Sequence, residues 1–250
     1  RTGVATLSQA LGSRQPCTYL GRCLWGCPHG ALYTPQQTLH ECQRFPGFSY
    51  VPGVEVTHFR VGQRSRAVSV VARSLTDGRE HEFPVERLAL AAGALLSTKI
   101  FLTSVLRHTG ERIRLPGLMD NRQILVPFVN LALIGEAFSD ESYQYHLLGM
   151  GIETGRPRHY VHTQITTLKT ALLHPIIQRL PFDLSTSTWV MRMMHAALGV
   201  ANVNLHDTRR DDNYVELTED PWPPRLRIHY AADAGETARI STAVRRLKRA

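Results

Sequence analysis

LALAAGALLSTKIFLTS, running from Leu88 to Ser104, is the stretch on which the fold turns. Its first part, Leu88 to Ala92, is a near-continuous apolar run, the pattern of a strand buried on both faces of a layered α/β sheet. Gly93 then turns the chain, Ser97 is placed to cap a helix, and Ile100, Phe101, Ser104 and Val105 recur at helical spacing along a packed face. A strand, a small-residue corner and a helix in immediate succession predict an α/β protein of mixed α+β character. Ala91-Ala92-Gly93-Ala94 carries no bulky side chain, so a ligand's phosphates could approach its main chain closely, facing a helix N-terminus. Tight packing of strand on helix uses the same small residues, and on the residues alone the two readings stand level.

Upstream of this corner the chain has the texture of a β-meander. VEVTHFRV, AVSVVARSL and EFPVERLAL, between Val51 and Leu90, are each rich in β-branched or apolar residues and are separated by turn residues. Asp77-Gly78 lies between two alternating runs and predicts a type I′ hairpin turn, with Gly62 serving the first connection. Downstream, after Pro116, short strands and loops predict a second sheet that begins with ILVPFVNLALIG, Ile124 to Gly135. TWVMRMMHAALGVANVNL reads equally as helix or strand. YVELTED, a Pro221 to Pro224 turn and RLRIHYAA form a hairpin. Asp233 with Glu236 then makes a capping box for a last helix whose buried stripe is Ile240, Val244 and Leu247.

A chain of 250 residues that is 43% apolar can bury a sizeable core. No apolar run approaches the roughly 20 residues of a membrane-spanning helix. The formal net charge of +8 could attract a polyanion, but no aromatic residues are interleaved with the basic ones. Arg209-Arg210 is followed at once by Asp211-Asp212, and the remaining cluster lies along the last helix. Solvated helix faces are therefore expected rather than a nucleic-acid site. The chain opens on Arg1 and stops within a helical pattern at Ala250, the expectation being a segment of a longer protein.

Three of the four cysteines fall in RQPCTYLGRCLWGCPHGA, Arg14 to Ala31, which does not suit the evenly spread framework of a disulfide scaffold. Zinc would need His29 or His40 to complete a poorly spaced set. Cys17, Leu20, Cys23 and Cys27-Pro28 match a ferredoxin-type run with its second cysteine replaced by Leu, so an iron-sulfur cluster on Cys17, Cys23 and Cys27 is a second reading. Small thiols packed in a stiff loop are the third.

In order along the chain, C-x5-C-x3-C-P-x-G-A, T-x-x-x-T-L, VPGVEVTHFRV, a DG hairpin and LALAAGALLSTKIFLTS resemble the middle of a glucose-methanol-choline oxidoreductase. The Cys-Pro-x-Gly-Ala loop is similar to that of the cholesterol oxidase type and of the flavin subunits of some bacterial sugar dehydrogenases. The likeness covers Arg14 to about Gln123 and resumes from Asn202 to Ala250.

The resemblance implies FAD as cofactor and hydride transfer from the CH–OH group of an alcohol, sterol or sugar to the flavin, with an electron acceptor to follow. An iron-sulfur electron-transfer module, or a dehydrogenase subunit carrying both flavin and cluster, is the alternative. The resemblance places the main chain of Val56 on the adenine, and Ala92 and Gly93 against the adenosine and pyrophosphate. It implies that residues 1–123 belong to a partial FAD-binding domain and 124–250 to a partial, sheet-based substrate domain. The Gly-rich turn of such proteins would precede Arg1, since no GxGxxG occurs here, and the catalytic histidine would follow Ala250. His162, His195 and His229 are accordingly expected to be surface or satisfied core residues. Leu118-Met119-Asp120-Asn121 departs from the Asp-His of the family at that place.

Overall fold

The computed structural model describes residues 2–4, 6–20, 23, 26–138, 148–152, 161–167, 173–220 and 223–247. In chain order the elements begin with β1 (Thr2–Val4), α1 (Pro35–Cys42), β2 (Val54–Val61), β3 (Ala67–Ser74), β4 (Glu80–Pro84) and α2 (Ala94–Thr109). There follow β5 (Leu115–Pro116), β6 (Arg122–Val129), β7 (Leu148–Ile152), β8 (Val161–Thr167), α3 (Leu173–Ile177) and α4 (Leu184–Met194). The chain ends in β9 (Leu198–Leu205), β10 (Tyr214–Leu217), β11 (Leu226–His229) and α5 (Glu236–Leu247). Helices are mixed with antiparallel sheets, the mixed α/β class expected. The chain forms two compact units, each drawn from separate segments: Gln43–Met119 with Thr208–Asp233, and Arg1–Cys42 with Asp120–Asp207 and Ala234–Ala250.

In the first unit β2, β3 and β4 pair in sequence order as the expected meander. Gly62 has no side chain because a Cβ there would lie 2.6 Å from a methyl of Val68. The DG turn differs from expectation. Of its two residues only Gly78 has positive φ, +73°, and five residues, 75–79, connect the strands, with Ser74 N–H bonding Arg79 O at 2.8 Å. Local side chains favour the longer loop: Ser74 Oγ accepts from Thr76 and Asp77 N–H, and Asp77 Oδ1 accepts from Arg79 N–H.

Leu88 to Ala92 forms no strand. Among the described residues nothing pairs with the run, and its residues are half-buried or exposed, none of them buried. An apolar composition can report a buried strand only where neighbouring strands supply ladder partners. The helix boundary also shifts. Gly93 is the N-cap of α2, and Ser97, already inside the helix, accepts from Ala92 N–H at 3.0 Å. At the other end Gly110 closes the helix in the left-handed conformation, its N–H bonding Leu106 O at 2.9 Å.

The buried face of α2 is Ile100, Leu102, Thr103 and Ser104, whereas Phe101 is exposed and Val105 half-buried. The helix packs on two surfaces. Leu102 and Leu106 meet Val215, Leu217 and Leu226 of the β11-β10-β5 sheet. Ser104, 1% exposed, meets the meander: its hydroxyl donates to Ile100 O at 2.6 Å and accepts from Phe59 N–H at 2.8 Å. The expected hairpin is β10 with β11. Asn213, fully buried at its start, accepts from Ala231 N–H and donates to Ala231 O.

The second unit is a sheet ordered β1-β7-β8-β9-β6, with Ile240, Ala243 and Leu247 of α5 packed on Val161, Val203 and Leu205. The run read as helix or strand is both, α4 ending at Met194 and β9 beginning at Leu198. Asp183 caps α4, accepting from Thr186 N–H and from the Thr186 hydroxyl, which lowers its carboxyl pKa. The boundary of α5 differs from the expected capping box. The helix begins at Glu236, too early for that residue to be its third, and the Glu236 carboxylate pairs with Arg122 at 2.8 Å.

Ser104→Ala leaves the Phe59 N–H without a partner in a closed interface, at a cost of about 1–3 kcal/mol. Urea unfolding of the variant should show a lower midpoint with an unchanged slope.

Candidate functional site

The meander and α2 enclose a cleft of about 440 Å3, within the roughly 300–1,000 Å3 range of small-molecule sites. Val56 and Ala92, two of the three residues singled out in the sequence, line it together. Val56 lies on β2, which stands at the edge of its sheet. Val56 faces Ala72 while His58 faces Val71, so one extra residue, Thr57, bulges from the strand. A bulge on an edge strand takes main-chain groups out of the ladder and presents them sideways, as hydrogen-bonding an aromatic base requires.

Gly93, the third residue, follows Ala92 without itself lining the cleft. Its φ of +80° and ψ of 164° belong to a region essentially closed to residues with a side chain. A Cβ placed there would meet nothing within 4 Å, and Ala92, Ala94 and Leu95 are exposed beside it. The corner is therefore glycine for its backbone conformation, and it is open.

The cleft walls differ in charge. On the sheet, Glu55, Arg73 and Glu80 stand opposite one another across β2, β3 and β4, and the Arg73 guanidinium bonds the Glu55 carboxylate at 2.6 Å. On the helix, Lys99, Thr103 and Arg107 line the cleft four residues apart. These polar groups were not singled out in the sequence. Their only signal was a four-residue spacing within an otherwise apolar helix, and that spacing also fits a solvent-facing edge.

His58, next to the bulge, is 3% exposed. Thr57 Oγ1 donates to Val71 O at 3.2 Å, leaving its lone pairs to accept from His58 Nδ1 at 2.9 Å, which assigns the proton to Nδ1. Burial, and then the charge of Arg107, hold its pKa below the usual 6.5, against a smaller opposing pull from Glu80. None of the histidines set aside in the sequence lines the cleft. His229 pairs with Glu216 at 3.2 Å and stacks on Tyr214, His195 stacks on Phe138, and His162 is exposed.

The cysteine loop borders a separate hollow in the other unit, lined in part by Cys23, Cys27, His29 and His40. All four cysteines are free thiols, and among the described residues no three His, Cys, Asp or Glu side chains are grouped to hold a metal ion. The described part of the loop thus does not fit a zinc site or an iron-sulfur cluster; residues 21, 22, 24 and 25 lie outside it. Its polar groups close the loop on itself. Arg14 Nε donates to Gly30 O at 2.9 Å, and Gln37 Nε2 donates to Gly30 O and Leu32 O. Among the described residues no helix is long and apolar enough to cross a membrane. Compared with family models and with curated proteins, the chain matches none.

The pH dependence of stability carries the signature of His58. Unfolded, it takes up a proton near 6.5; folded, only at lower pH. The stability that comes from holding it neutral is complete above about pH 6.5 and is lost as the pH falls through that value toward the folded pKa. Urea midpoints at pH 7.5 and 5.5 should differ less for His58→Gln than for the wild type. Separately, Gly93→Ala should lower stability at either pH by about 1–3 kcal/mol, since Ala rarely adopts this backbone conformation.

Proposed function

We propose that the cleft holds the adenosine and pyrophosphate part of FAD in an oxidoreductase acting on the CH–OH group of an alcohol, sterol or sugar. The observation that carries this reading is the meeting of Val56 and Ala92 on one cleft, beside an open glycine corner at the start of α2. The bulged edge at Val56 offers main-chain groups to the adenine. The corner at Ala92-Gly93 admits the pyrophosphate close to the main chain, and Lys99 supplies positive charge within the same cleft. When bound, FAD supplies the hydride-accepting ring. The part of this chain is to anchor the other end of that molecule and so fix where the ring lies. No residue of the chain is assigned the acid–base role. An electron acceptor belongs to the proposal as a partner.

Free FAD is self-quenched by stacking of its adenine on the flavin, so an adenine drawn into the cleft should unstack it. Titration of the chain into FAD should raise flavin fluorescence to a plateau. Ala92→Trp, which fills the corner, should weaken binding by at least about tenfold. A flat titration with wild-type protein would overturn the proposal. Loss of visible flavin absorption on addition of alcohols, sterols or aldoses to the flavin-loaded protein tests the substrate class.

A further inference from the structure

Three polar groups in the cleft have no hydrogen-bond or ion-pair partner among the described residues: the Lys99 ammonium, the Thr103 hydroxyl and the Glu80 carboxylate. Thr103 is the most telling. It is only 8% exposed, and it lacks the bond to the carbonyl four residues back that Ser104 and Thr109 make on the same helix. On a side chain otherwise this buried, a hydroxyl that lines the cleft and bonds nothing else in the protein is placed to bond what enters. Lys99 and Thr103 are one turn apart on α2, and Lys99 is the nearer to the glycine corner. Glu80 extends the acidic side of the sheet wall, where Arg73 is already bound to Glu55.

From this arrangement we infer that the cleft selects adenine nucleotides by the charge on their ribose: Lys99 takes the 5′-phosphates, while Thr103 and Glu80 take the ribose hydroxyls. The inference rests on the nucleotide reading above and deepens it. A carboxylate accepts from a free 2′-hydroxyl but repels a 2′-phosphate, so nucleotides of the 2′-phosphorylated class should be turned away. Lys99 requires negative charge at the other end of the sugar. The site is thus specified for a ligand anionic at one end and neutral at the other.

The test compares ADP, adenosine and adenosine 2′,5′-bisphosphate as calorimetric ligands of the full chain. Wild-type protein should bind ADP at least about tenfold more tightly than either of the others, the effect of roughly one misplaced or missing charge. Glu80→Gln should narrow the gap between ADP and the 2′-phosphorylated compound to about threefold or less, and Lys99→Met should bring ADP close to adenosine. Both side chains reach solvent, and circular dichroism verifies that the variants fold. If ADP binds but Glu80→Gln leaves the gap unchanged, or Lys99→Met leaves ADP unaffected, the inference fails and the nucleotide reading survives. If none of the three ligands binds wild-type protein, both fail together.

Discussion

The hydroxyl of Ser104 fixes the relation between helix and meander on which the cleft depends. β2 is an edge strand, and an edge carries amides that no neighbouring strand satisfies. At Phe59 the missing partner is a side chain of α2 instead. An apolar residue at 104 could fill the volume but would strand that amide in a nearly closed interface, while a longer polar residue would force the helix away. Anchored at this point, α2 lies beside β2, and the gap between them toward the Val56 bulge is the cleft. Leu102 and Leu106 hold the opposite flank of the helix to the β10 sheet, so its position is set from two sides.

Much of this unit was legible in the sequence because its signals are local. A period of two, punctuated by Gly62 and Asp77-Gly78, specifies a meander whatever surrounds it, and Gly110 ends a helix by its own geometry. The errors occur where the deciding partner is distant. Leu88 to Ala92 has the composition of a buried strand, but composition does not say whether a ladder partner is present. Glu236 has the spacing of a cap residue, while Arg122, far away in sequence, holds its carboxylate. Both compact units are likewise assembled from segments that a reading along the chain cannot join.

The two hollows, one in each unit, are both lined by polar side chains. Around the cysteines, Arg14 and Gln37 direct their donors at Gly30, Ala31 and Leu32 carbonyls, and the loop is closed by its own hydrogen bonds. In the meander cleft, Lys99, Thr103 and Glu80 keep their hydrogen-bonding capacity. The number of polar residues does not separate the two cases, since both hollows have many. Which of them are engaged becomes visible only once side chains are placed.

The same distinction applies to the net charge. Several arginines pair with a carboxylate: Arg60 with Glu82, Arg73 with Glu55, Arg122 with Glu236 and Arg209 with Asp211. Exposed pairs of this kind contribute little to stability, but they flatten the local field. In the cleft the field is not flattened, because a lysine on the helix wall and a carboxylate on the sheet wall both remain unmatched. A small molecule with its charge at one end can satisfy both walls at once, whereas a uniformly charged chain would satisfy one and be repelled by the other.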